Sequence, residues 1–116
     1  MHKLVILIEQ VEDRQAFEER WPEFLHQVEA MPGLRREVTS RVEERLYGAR
    51  AYQQVHELFF DSLEAAREAM ASVPGRAAGR ILQSMTGGRM ALFFADHFED
   101  ELENIRKYQS GAEGEA

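Results

Sequence analysis

The sequence predicts an α+β fold of the ferredoxin-like class, βαββαβ, with a four-stranded antiparallel sheet carrying its helices on one face. Three observations predict it. Four β-rich runs and two runs of helical period follow one another in that order along 116 residues. The first, third and fourth strand runs are apolar at both parities, whereas the second alternates apolar with charged residues. There is no short-period repeat and no low-complexity tract that would argue for another architecture.

The first strand runs from Lys3 to Glu9, with Leu4, Ile6 and Ile8 on one face and Val5 and Leu7 on the other. A helix follows from an N-cap at Asp13, its apolar stripe running through Phe17, Trp21, Phe24, Leu25, Val28 and Met31. Pro22 sits inside that stripe and predicts a kink or a restart of the helix. Leu34 to Leu46 is the second strand, half solvated and at an edge, with Leu34, Val38 and Val42 opposed by Arg35, Glu37, Thr39 and Arg41. The turn "YGAR" leads into the third strand, Ala51 to Phe60. Asp61 with Glu64 three residues on reads as a capping box for the second helix. "PGRAAGRILQSMTGG" reads as a connection holding a short helix, and Met90 to Phe98 as the last strand. Residues 1–98 are thus one domain, and 99–116 a C-terminal arm with a frayed tail.

Two helices cover one face of such a sheet, yet three strands are apolar on both. A second copy of the sheet is the simplest cover, which predicts a homodimer with the sheets face to face. A net charge of −7 disfavours phosphate backbones and anionic membranes, so nucleic acid and membrane are not expected partners. The apolar run "LVILI" is far shorter than a membrane span or a signal peptide. With no cysteine there is no disulfide, thiolate ligand or cysteine nucleophile, and a cytoplasmic location is the expectation.

The stretches "FEERW…MPGLRR" and "VHELFFDSLEAAREAMAS", followed by "PGRAAGRILQSMTGG", resemble the EthD-like family of the dimeric α+β barrel superfamily over roughly Lys3 to Phe98. The resemblance implies a dimeric barrel of two sheets with helices outside and a small cavity between sheet and helices. It further implies a small apolar or aromatic ligand in that cavity, and a role in its oxidation or isomerisation in a catabolic pathway, alongside a partner oxygenase. Related barrels include cofactor-free monooxygenases, isomerases and plain ligand binders, so the fold alone does not choose a chemistry. This sequence departs from the family where a histidine followed two residues later by proline is common near the end of the first helix. Here His26 is followed by Gln27 and Val28.

His56 and Glu57 are the candidate catalytic residues, because a titratable group held in apolar surroundings is tuned toward general-base work. The competing reading makes each a buried polar group satisfied by a partner across the dimer. Adjacent strand residues face opposite ways, so Val55, Glu57 and Phe59 form one set and Tyr52, Gln54, His56, Leu58 and Phe60 the other. Glu57 is the choice for the cavity, with His56 second. Tyr47 and Tyr52 are ligand-binding candidates through their hydroxyls, Trp21 as an apolar wall, and His26 by its position in the first helix. His2, His26, His56 and His97 fall on different elements without metal-ligand spacing, so no metal site is expected. No cofactor is expected, a haem held by one histidine being the minor alternative. The alternative function is a noncatalytic accessory or assembly module that docks through the acidic arm "FEDELENIRKYQ".

Overall fold

The computed structural model describes residues 1–103. Strand β1 (His2–Glu9) leads through helix α1 (Arg14–Glu29) to β2 (Arg36–Arg41) and β3 (Tyr52–Phe60). Two helices, α2 (Leu63–Ala71) and α3 (Val73–Thr86), then return the chain to β4 (Met90–Asp96). The sheet order is β2-β3-β1-β4 with every neighbouring pair antiparallel, the ferredoxin-like arrangement. No helix among the described residues is long and apolar enough to cross a membrane. Ile105 and Tyr108 of the proposed docking arm lie outside the described residues.

The core lies between the sheet and the helices. Leu4, Ile6 and Ile8 of β1 and Leu58 and Phe60 of β3 meet Phe17, Phe24 and Val28 of α1 and Leu82 of α3, all buried. Each such side chain contributes about 1.5–3 kcal/mol by leaving water. Helix α1 starts where Asp13 accepts a hydrogen bond from the Ala16 N–H. It runs unbroken past Pro22 rather than restarting there. Pro22 is exposed, so the lost backbone bond falls on the solvent side while Phe17, Phe24 and Val28 anchor the buried side.

Three expectations about the ends and lengths of elements are corrected. The N-cap of α2 is Ser62, whose side chain accepts from the Ala65 N–H, and Asp61 instead pairs with Arg35. The segment read as a connection with a short helix is a full 14-residue helix, Val73–Thr86, the third among the described residues. Ser72 makes that possible by serving both neighbours: its hydroxyl donates to the Ala69 carbonyl at the end of α2 and accepts from the Gly75 N–H at the start of α3. Strand β2 is shorter than expected, stopping at Arg41, and residues 42–51 form the long β2–β3 connection with Leu46 and Tyr47 almost fully exposed.

The register decides which side each β3 residue faces. Leu4 pairs with Leu58, Ile6 with His56 and Ile8 with Gln54, so His56 belongs to the helix-covered face. Val5 pairs with Glu57 and Lys3 with Phe59, so Glu57 lies on the face the helices leave open. This reverses the choice of Glu57 for a cavity beneath the helices. At Gln53 the register slips, Ile8 pairing with Gln54 but Glu9 with Tyr52. The extra residue is a β-bulge, and it moves Tyr52 out of the phase it would share with His56.

Candidate functional site

His56 is fully buried in the middle of β3, flanked by two aromatic rings from α1. Trp21 meets it edge-on with ring centroids 5.1 Å apart, and Phe24 at 6.0 Å. The helical spacing of Trp21 and Phe24 puts both rings on the sheet-facing side of α1, and the packing of Phe24 and Val28 holds that side down. The other wall comes from edge strand β2, where Thr39 is the register partner of His56 and Glu37 sits two residues along on the same face. Thr39 Oγ1 is 2.8 Å from His56 Nδ1, and Glu37 Oε2 is 3.5 Å from His56 Nε2.

Burial holds the imidazole neutral, pushing its pKa down from 6.5 to about 4, with the charge of Glu57 opposing the shift from the far face. The Glu37 carboxyl is raised above its usual range, first by its own burial and then by repulsion from Glu29. Among the described residues, neither His56 Nε2 nor Glu37 Oε2 has a hydrogen-bond partner within bonding geometry, although both atoms are buried. The tautomer consistent with an ionised Glu37 carries the proton on Nε2, the nitrogen nearer the carboxylate, while Nδ1 accepts from the Thr39 hydroxyl. Hydroxyl, imidazole and carboxylate therefore stand in series, with Thr39 exposed at one end and Glu37 part-exposed at the other. Such a series can take up a proton at Nδ1 and stabilise the resulting imidazolium with the carboxylate.

The remaining sequence candidates separate into two places. Trp21 joins His56. Tyr47 and Tyr52 meet instead along a groove of about 600 Å³ on the open face, with Leu7, Val42 and Val55. His26 is exposed on α1 and joins neither group. Glu57 pairs with Lys3 beside Phe59, over which Arg36 stacks 4.5 Å from the ring centroid. The space enclosed between the sheet and the helices near Ile6, Leu58 and Leu82 is about 10 Å³, room for one water at most. Among the described residues no three histidine or acidic side chains are grouped to hold a metal ion.

Glu37 and Thr39 escaped the sequence reading because β2 alternates as a half-wet strand, and charged or hydroxyl residues on such a strand read as its solvent side. The signal lay in the register: whichever β2 residue pairs with His56 carries its Nδ1 partner.

No family model and no curated protein matches the chain. Among solved structures, an EthD family protein from Bacillus halodurans is 28% identical and superposes with a TM-score of 0.77, covering 84% of this chain and 99% of that one. A dimeric protein of unknown function and ferredoxin-like fold from Bacteroides fragilis gives 16% identity and a TM-score of 0.61, over 83% and 95% of the two chains. SnoaB from Streptomyces nogalater, a cofactor-independent oxygenase, gives 14% identity and a TM-score of 0.63 over 87% and 95%. The last two likenesses carry the fold alone. With the strand order and the one-sided helices, these likenesses show that the chain has the dimeric ferredoxin-like α+β barrel fold and is similar to an EthD family protein.

Proposed function

We propose that the protein is a homodimeric small-molecule enzyme that removes a proton from an aromatic or enolisable substrate, with His56 as the proton acceptor and Glu37 as its counter-charge. The observation that carries this reading is the buried imidazole braced by Trp21, with a carboxylate 3.5 Å from Nε2 and a hydroxyl 2.8 Å from Nδ1. Loss of an acidic C–H or O–H proton leaves an anion. Return of the proton at another atom is an isomerisation, and capture of the anion by dioxygen is an oxygenation. Neither outcome needs a tightly bound cofactor, in keeping with the cofactor-independent oxygenase that shares the fold. Burial leaves His56 unprotonated at neutral pH, and the nearby Glu37 carboxylate is what would offset its charge once it accepts a proton.

The homodimer rests on the open face, where Val5 is buried and Leu7, Val55 and Phe93 remain partly or largely exposed in one chain. A second copy covers these side chains and the Lys3–Glu57 pair together. A thermal-shift screen of small aromatic and lactone-like compounds tests the function. The wild type is stabilised by at least one compound, the gain disappears in His56→Ala, and it survives in Glu57→Ala. If no compound stabilises the wild type, or if His56→Ala responds as the wild type does, the reading is wrong.

A further inference from the structure

His56 has no exposed surface, so a substrate cannot touch the base directly. The Thr39 hydroxyl, on the edge strand and exposed, is 2.8 Å from His56 Nδ1 and lies directly across the β2–β3 register from it. We infer that Thr39 is a catalytic proton relay, handing the substrate's proton to the buried imidazole; this rests on the proton-transfer function proposed above. The step balances without any further reagent. The substrate's proton passes to Thr39 Oγ1 as the Thr39 hydroxyl proton passes to His56 Nδ1, and the substrate keeps the electron pair of the broken bond. The imidazolium then carries protons on both nitrogens and faces the Glu37 carboxylate through Nε2. Reversal of the two transfers returns the proton to the product or to water, and Thr39 is unchanged.

The edge position suits this task. Among the described residues β2 has no strand beyond it, so a ring stacked along its helix-side surface reaches Thr39 with Trp21 as its apolar backing. The relay also gives a physical reason for a hydroxyl at a position whose same-face neighbours, Glu37 and Arg41, are charged: a charged side chain at 39 would pair with His56 or desolvate there, whereas a hydroxyl both donates and accepts.

The probe is 5-nitrobenzisoxazole, whose single acidic C–H proton is removed as its N–O bond breaks, the electron pair completing a nitrile and the oxygen leaving as a coloured phenolate. Wild type, Thr39→Val, Thr39→Ser and His56→Ala are compared at neutral pH, with a thermal melt to show that each is folded. Thr39→Val keeps the shape and β-propensity of the side chain and removes only the hydroxyl. The relay predicts that Thr39→Val and His56→Ala both lose roughly tenfold or more of the wild-type rate, and that Thr39→Ser restores most of it. Nitrogen NMR of the His56 ring adds a readout that packing does not move: an unprotonated, hydrogen-bonded Nδ1 in the wild type and Thr39→Ser, altered in Thr39→Val. A Thr39→Val protein as fast as the wild type, with His56→Ala slow, overturns the relay and leaves His56 as the base. A wild type no faster than His56→Ala overturns the proton-transfer function and the relay with it.

Discussion

His56 and Glu57, joined by one peptide bond, serve opposite faces of the sheet: the imidazole is sealed under Trp21 and Phe24, and the carboxylate pairs with Lys3 on the helix-free side. Under the proposed function, chemistry falls to His56 and assembly to the face of Glu57. The division also separates their mutational signatures, because a change at either position reports on a different surface.

Acid sensitivity follows from His56. Its folded pKa is lowered to about 4 from 6.5, so between those values the unfolded chain binds a proton that the folded chain refuses. Stability is therefore complete above about pH 6.5 and is lost as pH falls toward 4, by up to about 3 kcal/mol. Glu37, whose carboxyl is raised, works in the opposite sense as pH falls and offsets part of the loss. Urea midpoints measured from pH 7 to pH 4 fall more steeply for the wild type than for His56→Gln.

The proposed homodimer puts the open face in its seam. Leu7→Glu places a charge in the centre of that face, between the register partners Val55 and Ala91, and converts the dimer to a monomer in sedimentation analysis. Glu57→Ala leaves Lys3 without its carboxylate in a closed seam and weakens the dimer by about 2–5 kcal/mol. A wild type that sediments as a monomer at micromolar concentration contradicts the assembly.

The α2–α3 junction is sterically fixed at Gly75. A Cβ there would overlap the Ala69 carbonyl oxygen and crowd the backbone of Met70, neither of which can turn away as a side chain would. Gly75→Ala is expected to cost about 1–3 kcal/mol or more in chemical denaturation. Gly79→Ala, in the same helix with open space around it, is neutral or slightly stabilising.

Glu37→Gln keeps the shape of the β2 edge but removes the counter-charge for a protonated His56. On the 5-nitrobenzisoxazole reaction it lowers the rate while the affinity for an aromatic ligand stays within about a factor of three, because the carboxylate is needed for the charged state rather than for apolar contact. A variant that loses affinity and keeps rate would place Glu37 in ligand contact instead.

The fold was legible because the strands declare themselves by two-sided apolar runs and α1 by its Phe17–Phe24–Val28 stripe, signals that tertiary packing reinforces. The pairing of His56 and Glu57 with opposite faces was legible from strand alternation alone. Which face was which was not, since Val55, Glu57 and Phe59 look as core-like as Gln54, His56 and Leu58 until the helices are placed. Tyr52 was misplaced in phase because a bulge at Gln53 breaks the period of two, and no residue type announces it. Thr39 and Glu37 were hidden for a different reason. Their role comes from a cross-strand register set by the length of the β2–β3 connection, and their residue types match any wet edge.

The proposed function places the site on the helix side of β2 and β3, around His56. Chemical-shift mapping with a stabilising compound from the thermal screen tests it most directly. The largest changes are expected on the Trp21 indole N–H, the Thr39 amide and the His56 ring. Changes centred on Leu7, Tyr52 and Val55 in the open-face groove, with Trp21 and His56 unmoved, would contradict it.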